Sequence, residues 1–278
     1  MGFTNKLNLA MPELPDLEVI KKVLNHRIVD KKIEKVEILQ PLVFRCTFDQ
    51  FVNQLQGHSI TQVNRRGKFL IFDFDTDAHV VIHPMLGGRL QLCQINERLK
   101  KRTCFRWQFL DGTEFRYFDD NFMGRIYLVQ GNDFSPIPQF ADLGPEPLDA
   151  NLSLELFQQR LKHHPGMIKN ILTNQKFLAG IGNAYADEIL FAAGIHPFRK
   201  RPSLTTEEIE KLYHFTRSVL GKAIEILSQR MGEVIEVEIR DFLKVHRRGG
   251  EPCPVCGTKI SEVSPNKRIT SFCRNCQK

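Results

Sequence analysis

Four cysteines close the chain, Cys253, Cys256, Cys273 and Cys276, with two residues inside each pair and sixteen between the pairs. This spacing predicts two knuckles that jointly hold one Zn²⁺ in a tetrahedral thiolate site. A finger so short has little apolar core. Metal binding would supply about 10–16 kcal/mol of its folding free energy. The alternatives are two disulfides or four unrelated thiols. With no secretory leader at the start of the sequence, metal is the favoured reading. Cys46, Cys93 and Cys104 stand far apart in strand-like apolar settings and read as ordinary buried thiols.

With 278 residues, the chain has room for about two domains besides the finger. No apolar run approaches the ~18 residues that suggest a membrane span, so no membrane association is expected. Net charge is +7. From Phe242 to Lys278, eight basic residues stand against Glu251 and Glu262. After subtracting the −2 of a zinc tetrathiolate, the tail still carries about +4. Such a tail suits a polyanion such as nucleic acid, and equally reads as a solvated basic surface.

Hydrophobic patterning divides the chain. Leu17, Ile20, Val23 and Leu24 recur at helical spacing and predict a helix over Asp16–Arg27. Eight short strand signals follow: Ile33–Leu39, Ile60–Val63, Lys68–Phe74, Val80–His83, Arg89–Cys93, Phe105–Leu110, Glu114–Phe118 and Arg125–Val129. Many short strands in succession predict a sandwich or barrel-like domain. A Pro-rich stretch around residues 135–150 reads as a linker. Beyond it the periodicity is helical, with Thr205-Thr206-Glu207-Glu208 as a helix start. Gly180-Ile181-Gly182-Asn183 interrupts that pattern ahead of a further helix. A glycine turn at a helix N-terminus presents backbone N–H groups that can hold a phosphate, though many helix pairs need such a turn only to pack.

Three ordered segments carry a family resemblance: Met11-Pro12-Glu13-Leu14-Pro15, Leu178 to Glu188 (LAGIGNAYADE), and Glu251-Pro252-Cys253-Pro254-Val255-Cys256-Gly257. Together they resemble the formamidopyrimidine-DNA glycosylase / endonuclease VIII family, and the similarity runs from Met11 to Gln277. The resemblance implies an α+β fold: an N-terminal β-sandwich with flanking helices, then a helix–two-turn–helix domain and a β-hairpin zinc finger. The expected divisions are residues 1–10 as an extension from a misassigned start, 11–134, a linker at 135–150, 151–245 and 246–278. The implied activity is base-excision repair: release of a damaged base, then strand cleavage at the abasic sugar. The partner would be double-stranded damaged DNA. A monomer in the cytoplasm, associated with the nucleoid, is expected.

By resemblance, the amine of Pro12 is the nucleophile, Glu13 the acid or base on the opening sugar, and Lys68 a strand lysine near the lesion phosphate. Asn183 and Arg268 match phosphate-binding residues. An α-amino group has a pKa near ~8 against ~10.4 for lysine, so far more of it is free base at neutral pH. A secondary amine yields an iminium that is already charged, a good electron sink for elimination. The bland readings are a proline before a helix, a first-turn acid, surface charges and a cap.

The chain departs from the family in three places. Residues 1–10 precede Met11, and an internal proline nitrogen is an amide whose lone pair is delocalised. The expected wedge residues are Leu86, Phe122 and Met123, which fill a gap as apolar side chains, or else belong to core or loops. The arginine of the family's Arg-x-Phe pair is missing there. Finally, Ser228–Arg240 is too short for a long loop that covers a flipped purine.

Overall fold

The computed structural model describes residues 11–265 and 268–278. The extension expected at residues 1–10 lies outside them. The chain forms two compact units. One gathers Asp16–Pro138 and Met231–Glu238 together with Met11 and Pro12, and the other Glu13–Pro15, Gln139–Arg230 and Ile239–Lys278.

The first unit holds helix α1 (Leu14–Ile28) from Asp16 onward, and strands β1 (Ile33–Ile38), β2 (Ile60–Arg66), β3 (Phe69–Phe74), β4 (Ala78–His83), β5 (Gly88–Gln94), β6 (Thr103–Phe109), β7 (Thr113–Asp119) and β8 (Arg125–Gln130). They make two antiparallel four-stranded sheets, ordered β1-β6-β7-β5 and β2-β3-β4-β8. Every strand signal in the sequence corresponds to one of these strands. Period-2 alternation explains the core: Phe105 and Trp107 on β6 and Phe115 and Tyr117 on β7 are fully buried, as is Phe72 on β3. The Trp107 ring stacks on Phe115 at 4.9 Å and meets Phe72 edge-on at 5.3 Å. On β7, Glu114 and Arg116 alternate with these rings, are fully buried, and form an ion pair. Arg116 also donates to the carbonyls of Glu97 and Arg98.

Helix α2 (Phe48–Leu55) has no counterpart in the sequence expectations. Its Phe51 and Leu55, four residues apart, are fully buried. The returning segment Met231–Glu238 is held by three acids: Glu233 pairs with Arg27, Glu236 with Lys100 at 3.2 Å and Glu238 with Arg89 at 3.2 Å.

The second unit contains α3 (Leu154–Lys162), α4 (Ile168–Leu172), α5 (Asn183–Ala193), α6 (Thr206–Arg230) and the hairpin β9 (Ser261–Val263) and β10 (Thr270–Phe272). The helix start read at Thr205 is a capping box. Thr205 Oγ1 accepts from the Glu208 N–H at 3.3 Å, and the Glu208 carboxylate accepts from the Thr205 N–H at 2.8 Å. Phe157, Phe177, Leu178, Tyr185, Ile189, Leu212 and Leu220 pack the helical core, with Leu14 among them. The hairpin strands are three residues each. Lys259 bridges back to Pro252 beside the metal-ligand knuckle, and Pro265 lacks the N–H that would extend the ladder. No helix among the described residues is long and apolar enough to cross a membrane.

Candidate active site and metal centre

The glycine turn spends its N–H groups on a carboxylate. Glu13 Oε2 accepts from Gly182 N at 2.7 Å and from Tyr185 N at 3.3 Å, and Oε1 accepts from Ala184 N at 2.8 Å. The acid is thereby seated on the N-terminus of α5, where the helix dipole favours negative charge, and its residue is 4% exposed. The phosphate cradle that the sequence suggests is therefore occupied at these three donors by the protein's own side chain. Both glycines are required. At Gly182 a Cβ would lie 2.3 Å from Glu13 Cδ. At Gly180, φ is +88° and a Cβ would lie 2.8 Å from Leu14 Cβ. The Gly180 carbonyl accepts from Leu14 N at 3.0 Å, so the turn also holds the start of α1. Pro12 is buried and sits immediately before this acid.

Asn183 is the first residue of α5, not its cap, which is Gly182. Its Nδ2 donates to the Ile269 carbonyl at 2.6 Å, beside Arg268 at the base of β10. Lys169 on α4 donates to the same carbonyl at 2.8 Å and to Thr270 Oγ1 at 2.9 Å. Burial pushes the Lys169 ammonium below the usual lysine range, against the pull of Asp187; Glu13 and Arg268 also act on it. Glu13, Asn183 and Arg268 are thus gathered around one buried lysine that the sequence reading did not single out. A buried cation on a helix as short as α4 leaves no signal in periodicity.

In the first unit, Lys68 lies in the β2–β3 turn after Gly67 (φ +55°). Arg65 steadies this turn, donating to the Gly67 carbonyl at 3.0 Å and to Glu18 at 2.8 Å. Burial, with the charges of Lys68 and Arg125, depresses the His83 imidazole to about 3. His83 is therefore a neutral neighbour of Lys68, and its ring stacks on Phe69 at 4.3 Å. The sequence reading passed over it.

The expected wedge residues lie on two loops joined by one buried carboxylate. Asp119 accepts from Asn121 N at 2.9 Å and from Gly124 N at 2.6 Å. At Gly87 a Cβ would lie 2.3 Å from Asp119 Oδ1. Leu86 is 41% exposed and Met123 42%. Phe122 is half-buried with φ +51°, and Met85 has φ +53°. Left-handed backbone at two large residues is strain that the surrounding hydrogen bonds hold in place.

The four finger cysteines converge. Their Sγ atoms all lie within 4.8 Å of one another, with Cys253–Cys276 at 3.8 Å and Cys256–Cys273 at 3.5 Å. A tetrahedron with Zn–S bonds of about 2.3 Å has edges of about 3.8 Å, so the donor set fits one zinc. Val245, Ile260 and Phe191 pack beside Cys253 and Cys273, a core of only a few side chains.

A two-sheet unit, a helix–turn–helix whose glycine turn seats a buried acid, and a tetrathiolate hairpin thus stand together in one chain. "Formamidopyrimidine-DNA glycosylase N-terminal domain" matches residues 11–126, its H2TH domain 143–233, and "Zinc finger found in FPG and IleRS" 250–278. The formamidopyrimidine-DNA glycosylase of Bacillus cereus is 37% identical, over 96% of this chain and 99% of the relative. That of Listeria innocua is 36% identical over 96% and 100%. The Lactococcus lactis Fpg in complex with abasic-site DNA superposes with a TM-score of 0.88 at 30% identity, over 96% of this chain and 99% of that one. MutM in complex with DNA containing carbocyclic 8-oxo-G gives 0.87 at 31%, over 96% and 100%. The chain belongs to the formamidopyrimidine-DNA glycosylase family. The finger is of this family's zinc-binding type, which bears out the expectation of one structural zinc.

Proposed function

We infer that this protein is a DNA glycosylase with abasic-site lyase activity, acting in base-excision repair on damaged duplex DNA. The observation that carries this reading is the Glu13 carboxylate, buried and fixed by three backbone N–H groups next to Pro12. The proline amine attacks the sugar C1′ and the damaged base departs with its bonding electrons. Glu13 moves the proton that opens the sugar ring. The resulting iminium draws electrons from C2′, which loses a proton as the 3′ phosphate leaves; a second elimination releases the 5′ phosphate. Lys68, Asn183 and Arg268 hold phosphates, and Leu86, Phe122 and Met123 fill the gap left by the flipped base. Zinc orders the hairpin carrying Arg268 and takes no part in the chemistry. The protein acts as a monomer, in the cytoplasm at the nucleoid.

This chemistry needs Pro12 as a free amine. The family match beginning at residue 11, and relatives that are covered almost completely by 96% of this chain, support a native protein starting at Pro12. Protein starting there is expected to be trapped on abasic DNA by borohydride, while protein retaining residues 1–10 binds but is not trapped. Equal trapping of both forms refutes the proline nucleophile. The second reading, a damage-binding protein without catalysis, holds if Pro12 is never exposed as an N-terminal amine.

A further inference from the structure

Asp187 on α5 lies one turn beyond the glycine turn and is 1% exposed. Its carboxylate faces three different segments. Oδ1 is 2.6 Å from Lys169 Nζ on α4. Oδ2 is 2.7 Å from His246 Nδ1 and accepts from Ser271 N on β10 at 3.1 Å. Oδ2 thus takes the hydrogen bonds of His246 and Ser271, and Oδ1 meets the Lys169 ammonium as an ion pair. Lys169, in turn, spends two donors on Ile269 and Thr270, the residues that follow Arg268. The neighbouring Glu188 accepts from Lys244 N, Val245 N and His246 N, which fixes the chain entering the finger. The strands of the hairpin are three residues each, too short to set their own orientation on the helices.

We propose that Asp187 is a positioning residue that, through Lys169 and Ser271, sets the Arg268 hairpin against the glycine turn so that Arg268 and Asn183 engage the same stretch of DNA backbone. This rests on the reading of Arg268 and Asn183 as phosphate ligands. The charge is needed as well as the shape. An amide at position 187 offers one oxygen to three donors and turns an N–H towards either Lys169 or Ser271. The buried ammonium then faces Arg268 with its nearest counter-charge gone, and repulsion drives the hairpin away from the turn.

The test is a double-mutant cycle on zinc-loaded protein, with a duplex containing a tetrahydrofuran abasic analogue as the probe. Asp187→Asn is expected to weaken binding about tenfold and to lower the salt slope by about one, as Arg268→Ala does. The double variant is expected to bind no worse than Arg268→Ala alone. If Asp187→Asn loses its zinc or its fold, Thr270→Val removes only the hydroxyl that accepts from Lys169. It is expected to weaken binding about threefold, again with no further effect in the Arg268→Ala background. Additive losses, or an unchanged salt slope in Asp187→Asn, overturn the positioning role. Wild-type protein that fails to bind the duplex refutes the functional reading itself.

Discussion

Gly182→Ala should separate catalysis from folding. The residue has φ −120° and ψ −159°, extended backbone that alanine adopts without strain. The new methyl, however, would sit 2.3 Å from Glu13 Cδ, 2.5 Å from Oε1 and 2.7 Å from Cγ. Carbon atoms in contact rest at about 3.5–4.0 Å, so the carboxyl must retreat by roughly 1 Å. That stretches its bonds to Gly182 N and Ala184 N, now 2.7 and 2.8 Å, beyond hydrogen-bonding range. Overpacking costs about 1–3 kcal/mol, offset by roughly 0.4–1 kcal/mol from the stiffer unfolded chain. At about 2–4 °C per kcal/mol, Tm falls by several degrees and the protein stays folded at 25 °C. A catalytic group displaced by about 1 Å loses about 100-fold in rate. The assay is single-turnover strand cleavage of a duplex with one ring-opened purine, using protein that starts at Pro12, with calorimetry alongside. Gly221→Ala is the control: it lies in α6, its Cβ meets nothing within 4 Å, and it should gain about 1 kcal/mol at unchanged rate. A wild-type cleavage rate in Gly182→Ala would refute the assignment of Glu13.

Burial pushes the thiols of Cys46 and Cys93 up to about 11 and that of Cys104 to about 12, so these three should resist a disulfide reagent at pH 8 until the protein is denatured. Chelating the zinc should raise the reactive titre by about four; a rise of seven in folded protein would contradict this. His83 titrates near 6.5 when unfolded and about 3 when folded, so between those values the unfolded chain alone takes up the proton and acid erodes stability. His83→Gln should flatten the acid-unfolding curve between pH 6.5 and 3, and an unchanged curve would show that the imidazole is not held neutral. With apolar residues at the tips of both wedge loops and Ser228–Arg240 short, a panel of single-lesion duplexes should show robust lyase activity with little dependence on the opposite base. Ring-opened purines or oxidised pyrimidines should be better substrates than 8-oxoguanine opposite cytosine, and a strong cytosine-dependent preference for 8-oxoguanine would overturn this.

The strands were legible because each buries one face and is bounded by turn residues, so alternation and punctuation agree. Helix α2 was missed although Phe48, Phe51, Val52 and Leu55 recur at i, i+3, i+4 and i+7, because two turns are short for a helix read from pattern alone. Its signature was Thr47 before Phe51 and Leu55. The metal ligands were readable because both knuckles are local in sequence. The glycine turn was recognised, but its occupant was not: Glu13 lies 169 residues from Gly182, and no local pattern reports such a pairing. Lys169, Asp187 and His246 escaped for the same reason, being ordinary helix or loop residues until the fold brings them together.

The acids Glu233, Glu236 and Glu238 bear on the order of synthesis. The sheets end at Gln130, yet the partners of Arg27, Lys100 and Arg89 emerge about a hundred residues later. At roughly 5–20 residues per second, translation leaves the first unit without its last segment for about 5–20 s. Conversely, Glu13, made among the first residues, waits for Gly182 and Ala184 before its carboxylate is seated. Each unit therefore completes itself with a segment that the other separates from it in sequence, and a fragment ending at Pro138 would leave the nearly buried Arg89 without Glu238.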